Sequence, residues 1–189
     1  MEEYILRVRI IIGGPPNSGK STLAEILAMA LRSFRVDAYA EDLDLAAMTL
    51  DYIRGIKPWE QRPHEKKEWT PELAKQAVER FREASKKHHV VIGDAPGKIT
   101  DESRIIAQQA SHGIILCRDD CTDEIEEWKT FFKSLRIRII VVAISKMSGT
   151  GCVSVNGVIE AIIIGLDRKP RSNEIVMSLA WHVKERLNV

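Results

Sequence analysis

Between Ile10 and Leu23 the chain reads IIIGGPPNSGKSTL, and this stretch constrains the fold more than any other. Gly14, Gly19, Lys20 and Ser21 stand at the spacing G-x-x-x-x-G-K-[ST], the signature of a phosphate-binding loop. The spacing answers a physical need. A turn leaving a strand must aim several successive backbone N–H groups, those around Asn17 and Ser18 included, at one small volume that a phosphate fills. Gly14 and Gly19 permit backbone geometry that a Cβ would obstruct. Ser21 and Thr22 then open a helix whose first N–H groups lack intrahelical partners and whose dipole favours an anion. Lys20 is placed to reach the β- and γ-phosphates of a nucleoside triphosphate, and the Ser21 hydroxyl to ligate Mg²⁺.

The flanks agree. Val8–Ile12 is a short β-branched run that reads as a buried strand. After the loop, Leu23, Ile26, Leu27, Ala30, Leu31 and Phe34 recur at helical spacing. Downstream, strands are expected at Val36–Ala40, His89–Gly93, Gly113–Cys117 and Arg136–Ile144, with helices at 43–52 and 101–110. Thr70-Pro71-Glu72 is a strong helix start, Thr122 reads as the cap of another helix, and Ser172 as the cap of the last. Asn156-Gly157 marks a β-hairpin. Strands alternating with helices imply an α/β fold, a mainly parallel sheet covered by helices on both faces, with the C-terminal hairpin at its edge. Ligands belong at the carboxyl ends of such strands.

At 189 residues one domain spanning 1–189 is the expectation. A net charge of +1 gives no indication of nucleic-acid binding. No apolar run reaches membrane-spanning length, and no secretory leader is evident. Cys117, Cys121 and Cys152 lack metal or disulfide spacing, and the five histidines form no ligand set. A cytoplasmic protein is expected.

Two carboxylate sites stand out. VVIGDAPG is an apolar strand ending in Asp94, and with the phosphate loop it resembles the Walker B element of the P-loop NTPase superfamily, of the kinase/GTPase-like class. The resemblance implies that Asp94 holds Mg²⁺ together with Ser21. Asp94 to Gly97 also resembles the D-x-x-G element of GTPases, which implies a contact from the Gly97 N–H to the γ-phosphate. Guanine reading in that family uses N-K-x-D; here Ile144-Ser145-Lys146-Met147-Ser148 has Ser148 in place of the aspartate, so ATP is the expected nucleotide. Ser145–Gly151 is the expected loop over the base.

The second site is Glu41-Asp42-Leu43-Asp44, where small-molecule kinases of similar pattern place the carboxylate that deprotonates an acceptor. Asp42 and Asp44 are therefore candidate catalytic residues beside Lys20 and Asp94; a solvated acidic turn is the plain alternative. The irregular segment 54–69, with Lys57, Trp59, Arg62, His64, Lys66, Lys67 and Trp69, is the expected lid or substrate loop. Arg168-Lys169-Pro170-Arg171 is another source of lid cations. GGPPNSGKS, GDAPG and ASHGIILCRDD together also resemble a P-loop domain fused to some CRISPR-associated ring nucleases, over roughly 100 residues; that likeness implies nucleotide-dependent regulation. The expected activity is transfer of the γ-phosphoryl group of Mg·ATP to a small acceptor or to water. The alternative is a regulatory nucleotide switch acting on a protein partner, or on a second copy of the chain.

Overall fold

The computed structural model describes residues 7–62, 67–167 and 173–189. Among these residues seven strands form one sheet: β1 (Val8–Gly13), β2 (Ala38–Asp42), β3 (Val90–Asp94), β4 (His112–Arg118), β5 (Arg138–Lys146), β6 (Cys152–Asn156) and β7 (Val158–Ile164). Their order is β2-β3-β1-β4-β5-β7-β6. Neighbours are parallel except β6 and β7, which pair antiparallel across the Asn156-Gly157 turn, where Gly157 takes φ 83. The expected hairpin is thus present. Its second strand lies inside the sheet against β5, and its first is the edge.

Among the described residues six α-helices cover the sheet: α1 (Lys20–Ser33), α2 (Thr49–Ile53), α3 (Pro71–Lys87), α4 (Asp101–Ala107), α5 (Glu124–Ser134) and α6 (Glu174–Leu187). The two-residue period of the strands divides the apolar side chains between two layers. Ile10 and Ile12 face α1, α2 and α6, while Ile11 and Val91 face α3, α4 and α5. None of these helices is long and apolar enough to cross a membrane.

The helix starts follow side-chain chemistry. Thr70 accepts a hydrogen bond from the Leu73 N–H with Pro71 in the first turn, and Thr100 and Ser103 cap α4 reciprocally. Asn173 caps α6 by accepting from the N–H groups of Ile175 and Val176; Ser172 lies outside the described residues. Thr122 does not cap α5 with its side chain. Its carbonyl accepts from the Ile125 N–H in a preceding turn, and the helix begins at Glu124.

Several elements lie away from their expected positions; the helix expected over 101–110, for one, ends at Ala107. After α1 the chain reverses through Arg35, at φ 64, so β2 starts at Ala38 and carries Glu41 and Asp42 within the strand. Arg136, at φ 57, likewise delays β5 to Arg138. The helix expected over 43–52 is reduced to Thr49–Ile53, because Asp44 to Met48 form a turn that ends with Met48 at φ 46.

On the α3 side, Gly93 lacks the Cβ that would collide with Leu43, and Phe81 packs fully buried beside the same spot. Phe81→Ala is expected to cost about 3–5 kcal/mol, since the rigid sheet cannot collapse into the space. Urea unfolding followed by circular dichroism measures it.

Candidate functional site

The loop after β1 takes its shape from a close approach and a buried cation. Gly14, at φ 145, lies against β4 so tightly that a Cβ would come within 1.9 Å of the Leu116 carbonyl oxygen. Lys20 opens α1 and folds back, its Nζ donating to the carbonyls of Gly14 at 2.9 Å and Pro15 at 2.8 Å. Buried Ser18 donates to Pro15 O at 3.0 Å, and Ser145 at the end of β5 donates to Ser18 O at 2.8 Å. Among the described residues no side chain caps α1, so its leading N–H groups face the space the loop encloses. Asn17, at φ 62, turns the loop's backbone toward the same space.

Asp94 ends β3 next to this loop and is almost wholly buried. Burial raises its pKa from 3.8 to about 6, against the opposing pull of the Lys20 ammonium and hydrogen bonding from the Ser21 hydroxyl. Burial in turn lowers the pKa of Lys20, while Asp94 and Asp44 oppose that shift. Ser21 and Asp94 thus join a hydroxyl and a carboxylate, a hard-oxygen pair suited to Mg²⁺, which takes few protein ligands and leaves the remainder to phosphate and water. Among the described residues no cluster of three His, Cys, Asp or Glu side chains forms a separate metal cage.

The acidic cluster is divided by the fold. Asp42 pairs in register with Asp94, but its buried carboxylate accepts the N–H of Leu50 at 2.8 Å and of Asp44 at 3.2 Å, which pins the turn ahead of α2. Its pKa is raised, first by burial and then by Asp94 alongside. Glu41 pairs with Arg80 at 3.2 Å. Asp44 alone of the three lines the cleft.

That cleft, about 700 Å³, brings together Asn17, Gly19, Lys20, Ser21, Thr22, Asp44, Asp94 and Gly97. Gly97 packs on the loop, where a Cβ would meet the Pro16 nitrogen at 2.8 Å, so its glycine is required by close approach. Gly14 and Ser18 shape the loop from behind. Of the residues expected in a lid, Trp59, Arg62, Lys67 and Trp69 reach the cleft; His64, Lys66 and Arg168–Arg171 lie outside the described residues. Met147 reaches it from the expected base loop.

Leu166 and Asp167, after β7, also line the cleft, and the sequence offered no sign of them. Thr22 Oγ1 donates to the Asp167 carbonyl at 2.9 Å, and Leu166 Cβ would lie 2.9 Å from a Cβ on Gly19. Both contacts are backbone-directed or apolar, so no motif marks them.

No family model matches the chain, and no curated protein matches it in sequence. In structure it is similar to the septum site-determining protein MinD of Pyrococcus horikoshii OT3, complexed with Mg-ADP. The TM-score is 0.71 at 14% identity, covering 96% of this chain and 97% of that one. The cell division ATPase MinD of Pyrococcus furiosus gives 0.70 at 13% identity over 95% and 99%. The MinC:MinD cell division protein complex of Aquifex aeolicus gives 0.51 at 15% identity over 75% and 69%. The shared architecture is the P-loop NTPase fold.

Asp94 predicts a pH dependence. Its folded pKa of about 6 exceeds the ordinary 3.8, so stability from the neutral carboxyl is present below about pH 4 and lost as pH rises through about 6. In EDTA, Asp94→Asn is expected to gain about 1–3 kcal/mol relative to the unmodified chain between pH 4 and pH 7. Urea titrations at the two pH values test this.

Proposed function

We propose that this chain, built on the P-loop NTPase fold, binds Mg·ATP and acts as a regulatory ATPase whose nucleotide state controls a protein partner. The observation that carries the reading is the convergence of Lys20, Ser21 and Asp94 on the uncapped start of α1, inside one cleft. In this arrangement the carbonyls of Gly14 and Pro15 occupy the Lys20 ammonium. A triphosphate offers it charged oxygens instead, a stronger partner. Ser21 and Asp94 would hold the Mg²⁺, which would supply charge neutralisation to the phosphates. Because Asp94 keeps its proton to about pH 6, proton and cation compete for that carboxylate. The backbone N–H groups from Asn17 to Thr22 orient the phosphates, and Asp44 lines the same cleft.

Two observations favour regulation over transfer to a small acceptor. Asp42 spends its carboxylate on the backbone of the following turn, so the cluster brings only Asp44 to the cleft. Among the similar proteins that match nearly end to end are the septum site-determining protein MinD and a cell division ATPase MinD, and a partial match is a MinC:MinD cell division protein complex. The resemblance of the sequence to regulatory P-loop domains points the same way. Water is then the acceptor, and the partner reads which nucleotide is present.

Lys20→Ala is expected to weaken ATP binding at least tenfold while leaving the fold intact, since a charge-assisted contact is lost. Unchanged affinity in calorimetry, with a native circular dichroism spectrum, would overturn the nucleotide site. In competition, GTP should gain no marked preference over ATP, because Ser148 offers no carboxylate to the guanine N–H groups. To separate regulation from transfer, ADP release is measured with and without candidate acceptors, and partner capture is compared with ADP and AMPPNP bound. Acceptor-stimulated turnover, with capture indifferent to the nucleotide, would replace the switch by a kinase.

A further inference from the structure

The sheet has two edges, and the chain finishes them differently. β2 is one edge and β6 the other. At β2 the Asp37 carbonyl turns inward to accept the Val90 N–H, so the carbonyls of Ala38 and Ala40 turn outward. Arginines occupy both: Arg32 donates to Ala38 O at 2.9 Å and Arg54 to Ala40 O at 2.6 Å. Guanidinium donors on its carbonyls, with Glu41 and Asp42 at its end, deny that edge to another strand.

β6 has no such cover. Among the described residues no group besides β7 hydrogen-bonds to the backbone of Cys152–Asn156. Arg186 donates to the Gly157 carbonyl, just beyond the strand. Val153 is half-buried and the other residues of β6 are exposed. The strand reads Cys-Val-Ser-Val-Asn, without charge, proline or glycine, and its ladder with β7 runs without a register shift. Such an edge presents unused N–H and C=O groups to any strand that meets it.

What fits this edge follows from its own sequence. Val-Ser-Val is the same in either direction, and antiparallel strands run in opposite directions. A two-fold axis at Ser154 sets Ser154 opposite itself, Val153 opposite Val155 and Cys152 opposite Asn156. A register centred on either valine instead leaves the other valine facing Gly151 or Gly157. Val153 and Val155 pair with Ala161 and Ile159, both buried on the α6 side of the sheet. Two valines from each copy then meet on that side, covering Val155, which is 45% exposed in one chain alone. On the opposite face Glu160 lies beside Ser154. Glu160 and its copy stand three strand spacings apart, about 14 Å, where salt screens their repulsion.

We propose that β6 pairs antiparallel with β6 of a second copy of the chain, joining two sheets into one about a two-fold axis at Ser154. Each strand and its copy then run in opposite directions, so the two phosphate-loop clefts open at opposite ends of the joined sheet. The copies share no nucleotide, and pairing is independent of what the cleft holds. One short strand from each side makes a small contact, so the dimer is weak and reversible.

Sedimentation of the full chain over a concentration series is expected to show the same monomer–dimer equilibrium with and without Mg·AMPPNP. Val155→Lys sets a charge against Val153 of the second copy and should weaken dimerisation by about tenfold or more, with an unchanged circular dichroism spectrum. Mild oxidation tests the register. In a Cys152→Ser background, Ser154→Cys lies directly opposite its copy, at the roughly 4.5–5.5 Å Cα separation of paired strands, and should form an intermolecular disulfide. Cys152 and its copy are four residues out of step, about 14 Å along the strands, so the unmodified chain should not crosslink there. Three results would each overturn the proposal. They are a monomer at every concentration up to the solubility limit, dimerisation that requires AMPPNP or ignores Val155→Lys, and crosslinking no greater with Ser154→Cys than in the Cys152→Ser background alone.

Discussion

The ammonium of Lys20, held inside the protein by two carbonyls of its own loop, is the interaction on which the rest of the site depends. A buried amine without acceptors would surrender its proton or its place. Gly14 O and Pro15 O prevent this, and in doing so they close the loop into a ring over the start of α1. Gly14 fits here because it has no Cβ to meet the Leu116 carbonyl of β4. The same ring exposes the backbone N–H groups that would otherwise point at solvent. Burial of the lysine and availability of the amides are thus two faces of one folding event.

Around that cation the chain concentrates carboxylates that serve different ends. Asp94 and Asp42 finish adjacent parallel strands in register, and both sit out of water. Asp42 resolves the cost by accepting two backbone N–H groups, whereas Asp94 shares its neighbourhood with Lys20 and Ser21. Identical residues at equivalent strand ends therefore part company through their partners. One fastens a turn. The other remains chemically open.

This division explains which features the sequence revealed. The phosphate loop, the Thr70-Pro71 start of α3 and the Asn156-Gly157 hairpin each depend on local chemistry within a few residues, and each was legible. The place of Asp94 at the end of a buried strand was legible for the same reason. Asp42 was not, because its role comes from a backbone group eight residues away in a turn that no periodicity marks. The two-residue displacement of β2 and β5 comes from left-handed residues, Arg35 and Arg136, whose identities give no warning. Leu166 and Asp167 escaped notice because one contributes an apolar side chain and the other a carbonyl.

The bond from Thr22 to the Asp167 carbonyl joins positions 145 residues apart. Synthesis delivers the phosphate loop early, but the wall it leans on emerges only after nearly the whole sheet has been made. With parallel pairings of this separation, loop closure comes late in folding. A nascent chain therefore carries an incomplete cleft until its last strand is in place. Ligand affinity at the loop becomes a measure of whether the C-terminal third has docked.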